Sequence, residues 1–256
     1  MPPSRQPLSV VIITLNAATQ LAECLAAAAF ADEILVVDSG SMDGTVALAE
    51  DAGARVLHQD WLGYGPQKQF AVEQPRHDWV LCLDADERVT PELRRAIESA
   101  LAAPRFGAYR FARCNRFLGR YLRHGEGYPD WSLRLFNRRQ GRWSKDPVHE
   151  KVEAAGPVGT LPGDLLHDSA ETLAAYLAKQ NRYTSLAADA AYAAGKRAGF
   201  ARLAFSPVLR FAKFYLLRQG FRDGLPGFIH IAIGCFNSFA KYAKLLERQC
   251  SGAPPR

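Results

Sequence analysis

Cysteine is scarce and carries no pairing pattern: Cys24, Cys82, Cys114, Cys235 and Cys250 are odd in number and show no Cys-x-x-Cys spacing. Such a set excludes a disulfide framework or a zinc ribbon and suits reduced thiols. Glycine-rich phosphate loops are missing too. No Walker sequence occurs, and Gly63-Tyr64-Gly65 lacks the third glycine of a dinucleotide fingerprint, which disfavours P-loop and dinucleotide chemistry. No Gly-x-Ser-x-Gly elbow marks a serine hydrolase. The stretch Met1–Pro7 holds no apolar core of a signal peptide, and no internal repeat or low-complexity tract occurs. Of the six histidines, His58, His77, His124 and His230 show no metal-ligand spacing.

What remains is a globular composition. Of 256 residues, 48% are hydrophobic and 23% charged, which excludes wholesale disorder. The formal charge of +6 is unevenly spread. Residues 196–256 carry 11 Lys/Arg against 2 Asp/Glu, whereas residues 1–195 carry 21 against 24. A second basic block, Arg105 to Lys145, holds 11 positive residues against Glu126 and Asp130. Basic surface on this scale attracts phosphate, on nucleotides, nucleic acid or anionic lipid.

The first half alternates strand and helix patterns. Leu8–Leu15 is a nearly continuous apolar run, as in a strand buried on both faces. A helix is expected over Thr19–Phe30, strands at Ile34–Val37 and Arg55–His58, and a short helix at Gly44–Asp51. Pro66 suits the first position of a helix reaching Glu73. A further strand, Trp79–Leu83, runs into Asp84-Ala85-Asp86-Glu87, and Thr90-Pro91 supplies cap and first turn for a helix to Ala102. This order predicts an α/β fold with a parallel sheet and right-handed crossovers. Shorter strand-like pieces follow at Ala108–Phe111, Trp131–Phe136 and Val148–Val152. From Ala170 the character is helical, over Ala170–Ala194, Pro207–Gly220 and Pro226–Glu247.

Acidic residues close two of the buried strands, Asp38 after Ile34–Val37 and Asp84/Asp86 after Trp79–Leu83. Ligands of open α/β sheets bind beyond these carboxyl ends. Two Asp at i and i+2 offer hard oxygen ligands to Mg²⁺ or Mn²⁺, with phosphates and water completing the shell. Solvated turn residues are the plainer alternative for one such motif in isolation.

In combination the motifs are specific. Val10-Val11-Ile12-Ile13-Thr14-Leu15-Asn16, then Ile34-Leu35-Val36-Val37-Asp38-Ser39-Gly40-Ser41-Met42-Asp43-Gly44-Thr45, then Leu83-Asp84-Ala85-Asp86-Glu87 resemble, in order, the inverting family 2 glycosyltransferases of the GT-A fold. Gly65-Pro66-Gln67-Lys68, Arg134-Leu135-Phe136, Val148-His149-Glu150 and Leu166-His167-Asp168 extend the similarity to the lipopolysaccharide core β-1,4-glucosyltransferase subgroup. The resemblance implies a GT-A, Rossmann-like, mostly parallel sheet with a C-terminal helical extension. It also implies a UDP-sugar donor, with UDP-glucose foremost, and a divalent cation, Mg²⁺ or Mn²⁺. Thr14, Asn16 and Asp38 would line the base and ribose pocket, and Asp84 would lie by the ribose or a metal-bound water. Asp86 would hold the metal, with His167 as a further ligand, although a lone histidine near an apolar run is more often a hydrogen-bonded core residue. Lys68 and Arg134 are candidate phosphate contacts or, equally, solvated surface cations. Inversion needs a carboxylate to deprotonate the acceptor hydroxyl. Glu150 is the first candidate and Asp130 the rival, with a His149–Glu150 surface ion pair as the structural alternative.

The expected organisation is a catalytic domain over residues 1–195 and a basic, aromatic-rich helical extension over 196–256. The longest uncharged stretch, Gly224–Ala240, has 17 residues, short of the ~20 that a spanning helix needs. A membrane-surface or subunit contact is therefore expected of the extension, with the enzyme on the cytoplasmic face of the inner membrane. The acceptor implied is a phosphorylated, lipid-linked saccharide. Alternatives are a polyprenyl-phosphate or other membrane-lipid acceptor, or a non-catalytic, membrane-associated module with a degenerate transferase fold. An intact Asp84/Asp86 pair argues against the last. A homo-oligomer is compatible with the sequence, and no nucleic-acid-binding signature accompanies the Arg-rich segments.

Overall fold

A computed structural model describes residues 5–144, 150–169 and 172–251. The chain forms two compact units, one from the described residues of Met1–Cys114 and Asp130–Asp168, the other from those of Asn115–Pro129 and Ser169–Arg256.

The first unit is built on one twisted sheet. Strands β1 (Leu8–Thr14), β2 (Glu33–Asp38), β3 (Arg55–His58) and β4 (Trp79–Asp84) run parallel in the order β3-β2-β1-β4. Beyond β4 the sheet continues through β8 (Asp130–Asn137), β6 (Ala108–Phe117), β11 (Val158–His167) and β5 (Glu87–Val89), with antiparallel pairing of β4 to β8, β8 to β6 and β11 to β5. The two-residue β7 (Arg120–Tyr121) pairs with the end of β6, and β9 (Gly141–Trp143) with β10 (Val152–Ala154) forms a separate ribbon.

The period of two explains the apolar runs. Leu8, Val10 and Ile12 of β1, with Leu81 and Leu83 of β4, face one core with Leu21, Cys24 and Leu25 of α1 (Ala18–Ala28) and Leu93 and Ile97 of α4 (Pro91–Ala102). Val11, Leu35, Val37, Val80 and Cys82 face the other, against Ala71 and Val72 of α3 (Tyr64–Glu73). Both faces are covered, so neither alternates with polar residues. The short helix expected over Gly44–Asp51 is α2 (Thr45–Asp51).

Two helix starts test the sequence signals. Thr90 caps α4, its Oγ1 accepting from the Leu93 amide at 3.3 Å, with Pro91 in the first turn. Helix α3 begins two residues before Pro66, after Gly63 in the left-handed region (φ +96°). Proline is tolerated anywhere in the first turn, where its missing N–H has no helical acceptor.

The second unit is helical. Helix α5 (Leu173–Ala193) and α6 (Phe200–Phe211) pack against α7 (Gly224–Ser251); a π-helical turn (Ala212–Leu217) and a 3₁₀ turn (Gly220–Asp223) join the last two. Lys244 of α7 donates to the Asn181 carbonyl at 2.8 Å, and Arg248 pairs with Asp189 at 2.7 Å. These contacts place α5 with α7, so the change of charge at residue 196 does not coincide with the packing boundary after Asp168. Gly195, expected at the boundary, lies in the turn between α5 and α6. Pro207, expected to open a stretch, is inside α6.

The segment Asn115–Pro129 belongs to this unit because the buried carboxylate of Asp223 and a partly buried Arg210–Glu126 ion pair hold it. Asp223, 2% exposed, accepts from the amides of Arg123 and His124 at 2.9 and 2.7 Å and faces His124 Nδ1 at 3.1 Å. Arg210 pairs closely with Glu126. His230 lies against Phe117 and Tyr176, and burial, with the Arg210 charge adding, lowers its pKa.

Candidate functional site

The loops after β1 and β2 are stitched together at the carboxyl ends of the strands. Asp38, 3% exposed, ends β2. Its Oδ2 accepts from the Gly40 and Ser41 amides at 2.9 and 2.8 Å, and its Oδ1 from Thr14 Oγ1 at 3.1 Å and from the Ser41 hydroxyl. Burial would raise its pKa, but these bonds hold the carboxyl below its usual range. Asn16 takes the left-handed conformation (φ +50°) that asparagine tolerates. Its amide donates to Ser41 Oγ, and its Oδ1 accepts from the Met42 amide, both at 2.8 Å. Asp43 ties the same loop to the first helix by accepting from the Thr45 and Ala18 amides at 3.0 and 3.2 Å. Thr14, Asn16 and Asp38 are thus linked through Ser41 in one hydrogen-bonded loop pair, with the carboxylate of Asp38 already taking four protein donors.

A buried charge cluster lies at the end of β4. Asp84 pairs through Oδ1 with Lys68 Nζ at 3.1 Å and through Oδ2 with Arg134 Nη2 at 2.8 Å. Lys68, from α3, also reaches Glu150 Oε1 at 3.1 Å. Arg134, from β8, also reaches Glu87 Oε1 at 2.9 Å. Lys68 and Arg134 are 7% and 5% exposed, so neither is a solvated surface cation. Burial raises the pKa of Asp84, yet the charges of Arg134 and Lys68 prevail and hold it well below the usual range. Glu87, fully buried, goes the other way: burial pushes it up and the Asp84 charge adds, against the pull of Arg134 and Arg113. Trp143 of β9 covers the cations, its ring 4.9 Å from Lys68 Nζ and 5.6 Å from the Arg134 guanidinium. Arg134 Nη1 and Trp143 Nε1 are buried without a hydrogen-bond partner. Burial raises the neighbouring Cys82 thiol to about 11, which leaves it a neutral packing group.

Asp86 stands outside that cluster. The antiparallel register of β11 on β5 sets His167 opposite Glu87, so its Nε2 lies 3.3 Å from Asp86 Oδ2, with both side chains about a quarter exposed or less. An additional tie, from the Asp168 amide to the Asp86 carbonyl at 2.9 Å, fixes the junction. One carboxylate oxygen and one imidazole nitrogen fit a borderline divalent cation such as Mn²⁺. Among the described residues no cluster of three or more His, Cys, Asp or Glu could hold a metal.

Asp130, the rival base, faces Arg113 at 2.8 Å, and Arg113 in turn reaches Glu87 at 3.5 Å. The expected strand-like run Val148–Val152 falls partly outside the described residues, as does His149; the strand that is described there is Val152–Ala154. Sequence reasoning passed over Ser41, Asp43 and Glu87, although each lies inside a motif that it quoted. Arg113 and Trp143 carry no signal in the sequence, because β6 of the antiparallel half of the sheet brings in the first and the separate β9–β10 ribbon the second.

Acidic loops at the carboxyl ends of parallel strands, with a histidine from the neighbouring antiparallel strand facing the second aspartate, are the layout of a GT-A sugar transferase. Residues 9–155 match Glycosyl transferase family 2, and the chain belongs to that family of enzymes. It is 37% identical over 257 residues, 97% of this chain and 95% of the relative, to the lipopolysaccharide core biosynthesis glycosyltransferase LpsC of Rhizobium meliloti (strain 1021). An uncharacterized glycosyltransferase of Rickettsia typhi, RT0209, is 31% identical over 253 residues, 94% of this chain and 87% of that one. Among solved structures, S. aureus TarS 1–349 in complex with UDP-GlcNAc superposes with a TM-score of 0.49 at 13% identity, covering 98% of this chain and 93% of that one.

Proposed function

We propose that this glycosyltransferase moves a hexose, glucose foremost, from a UDP-sugar to the inner core of lipopolysaccharide or a similar lipid-linked saccharide, with inversion at the anomeric carbon. The observation that carries the reading is the meeting of Asp84, Lys68 and Glu150 within one hydrogen-bonded chain at the end of β4, one residue from the Asp86–His167 pair. The acceptor class rests on the likeness to LpsC along nearly the whole chain.

On this reading Thr14, Asn16 and Asp38 line the base and ribose pocket. The Asp38 carboxylate accepts from the uracil ring by giving up one of its two hydroxyl donors, Thr14 or Ser41, which rotate where the backbone amides do not. Asp86 and His167 hold the divalent cation, which supplies Lewis-acid stabilisation of the departing diphosphate. Asp84 orients Lys68 and Arg134, and Lys68 meets phosphate oxygens as they gain charge. Glu150 takes the proton of the acceptor hydroxyl while its oxygen bonds to the anomeric carbon. The bond from that carbon to the diphosphate oxygen breaks with both electrons leaving on UDP.

The test is a transfer assay with several nucleotide sugars, with Mn²⁺, Mg²⁺ or chelator, and truncated core oligosaccharide as acceptor. UDP-glucose should give the fastest transfer and a β-linked product. Transfer from a different nucleotide class, or an α-linked product, would overturn the reading.

A further inference from the structure

The segment from Phe200 to Phe228 turns apolar side chains toward solvent. No residue of α6 or of the π-helical turn is buried. Phe205, Val208, Leu209, Leu216 and Leu217 are each more than half exposed, Leu217 at 80%. Steps of three and four residues place Phe205, Val208 and Leu209 along one side of α6, and Leu216 and Leu217 follow, equally outward, in the π-helical turn. The sequence pattern hides this stripe because the segment is apolar on two sides. Its inner aromatics, Phe211 and Tyr215, make ring contacts with Phe228 at 6.3 and 5.8 Å.

The charge around the stripe has one sign. From Lys196 to Leu246 the only acidic residue is Asp223, and it is buried under His124 and the Arg123 amide. Arg202, Lys213, Arg218 and Arg222 are exposed along the same segment.

We infer that this face lies on an anionic bilayer surface, with the outward apolar side chains in the headgroup–acyl boundary and the flanking cations on lipid phosphates. Charge selects a bilayer over a second copy of the chain. A two-fold interface would set this uncompensated positive surface against itself, whereas anionic lipid neutralises it. Attachment is one-sided, since among the described residues no helix is long and apolar enough to cross a membrane. The inference is independent of the sugar and acceptor proposed above, because it is read by binding and not by transfer.

The experiment is co-sedimentation of the full chain with vesicles of phosphatidylcholine alone or mixed with phosphatidylglycerol, at low and high salt. The wild type should pellet with the anionic vesicles at low salt and be released by high salt. Leu216→Glu/Leu217→Glu and, separately, Lys213→Glu/Arg218→Glu should each weaken binding by about tenfold or more, with circular dichroism unchanged. Equal binding to neutral vesicles, or variants that bind like the wild type, would overturn the inference. So would a concentration-dependent dimer lost in Leu216→Glu/Leu217→Glu without vesicle binding, which would assign the face to a second copy. Retention through alkaline extraction would contradict surface attachment.

Discussion

Two carboxylates compete for the role of base, and their partners separate them. Glu150 shares Lys68 with Asp84, which puts it beside the cation expected to meet the donor phosphates. Asp130 is paired with Arg113, a guanidinium that is always charged and holds a carboxylate as a structural partner. Glu150→Gln keeps the shape and removes proton acceptance. It should lower kcat for transfer by about 10²–10⁴-fold with donor binding little changed. Asp130→Asn should act mainly on stability. Steady-state kinetics with isothermal titration of the donor separates the two, and the reverse pattern would make Asp130 the base. Asp84 differs from both, because its two oxygens are already held by buried cations, so its removal would leave Lys68 with Glu150 alone and Arg134 with Glu87 alone.

Among the elements, legibility in the sequence follows local chemistry. Strands β1, β2 and β4 were readable because burial on both faces makes them continuous apolar runs, and α4 because Thr90-Pro91 is a local start signal. Strands β5, β9 and β11 were not. They are short or polar, and β5 and β11 pair with each other from far apart in sequence: His167 pairs across to Glu87, and no local pattern encodes that register. The Asp86–His167 pair was thus available only by resemblance, while its geometry needed β11. The device that lets β11 pass close to α4 is Gly163, at φ +89°, where an added Cβ would come within 2.4 Å of the Leu93 amide nitrogen. Gly163→Ala should cost about 2–4 kcal/mol from the left-handed backbone and the forced displacement of α4. Urea unfolding reads this as a lower midpoint, and an unchanged midpoint would show that the crossing is loose.

For the whole molecule, the chain passes between its two units three times, after Cys114, Pro129 and Asp168. Composition marks a different place, residue 196, because charge reports the surface that a segment presents and not the helices it packs against. The segment Asn115–Pro129 leaves the sheet unit and is fastened to the helical one by Asp223 and Arg210. Asp223→Ala should leave the Arg123 and His124 amides to exchange about tenfold faster or more, as expected for buried bonds lost in a locally opening segment. Hydrogen exchange by mass spectrometry tests this, and unchanged protection over residues 120–126 would contradict it. We propose that sugar leaves diphosphate at the end of β4, with Asp86 holding the cation. The most direct measurement is the rate of UDP release coupled to sugar transfer in Mn²⁺, for the wild type and Asp86→Ala side by side. A fall of about 10²–10⁴-fold is expected in the variant, with the fold intact by circular dichroism, and a comparable fall in the wild type on chelation. Transfer by Asp86→Ala at the wild-type rate, undiminished by excess chelator, would contradict it.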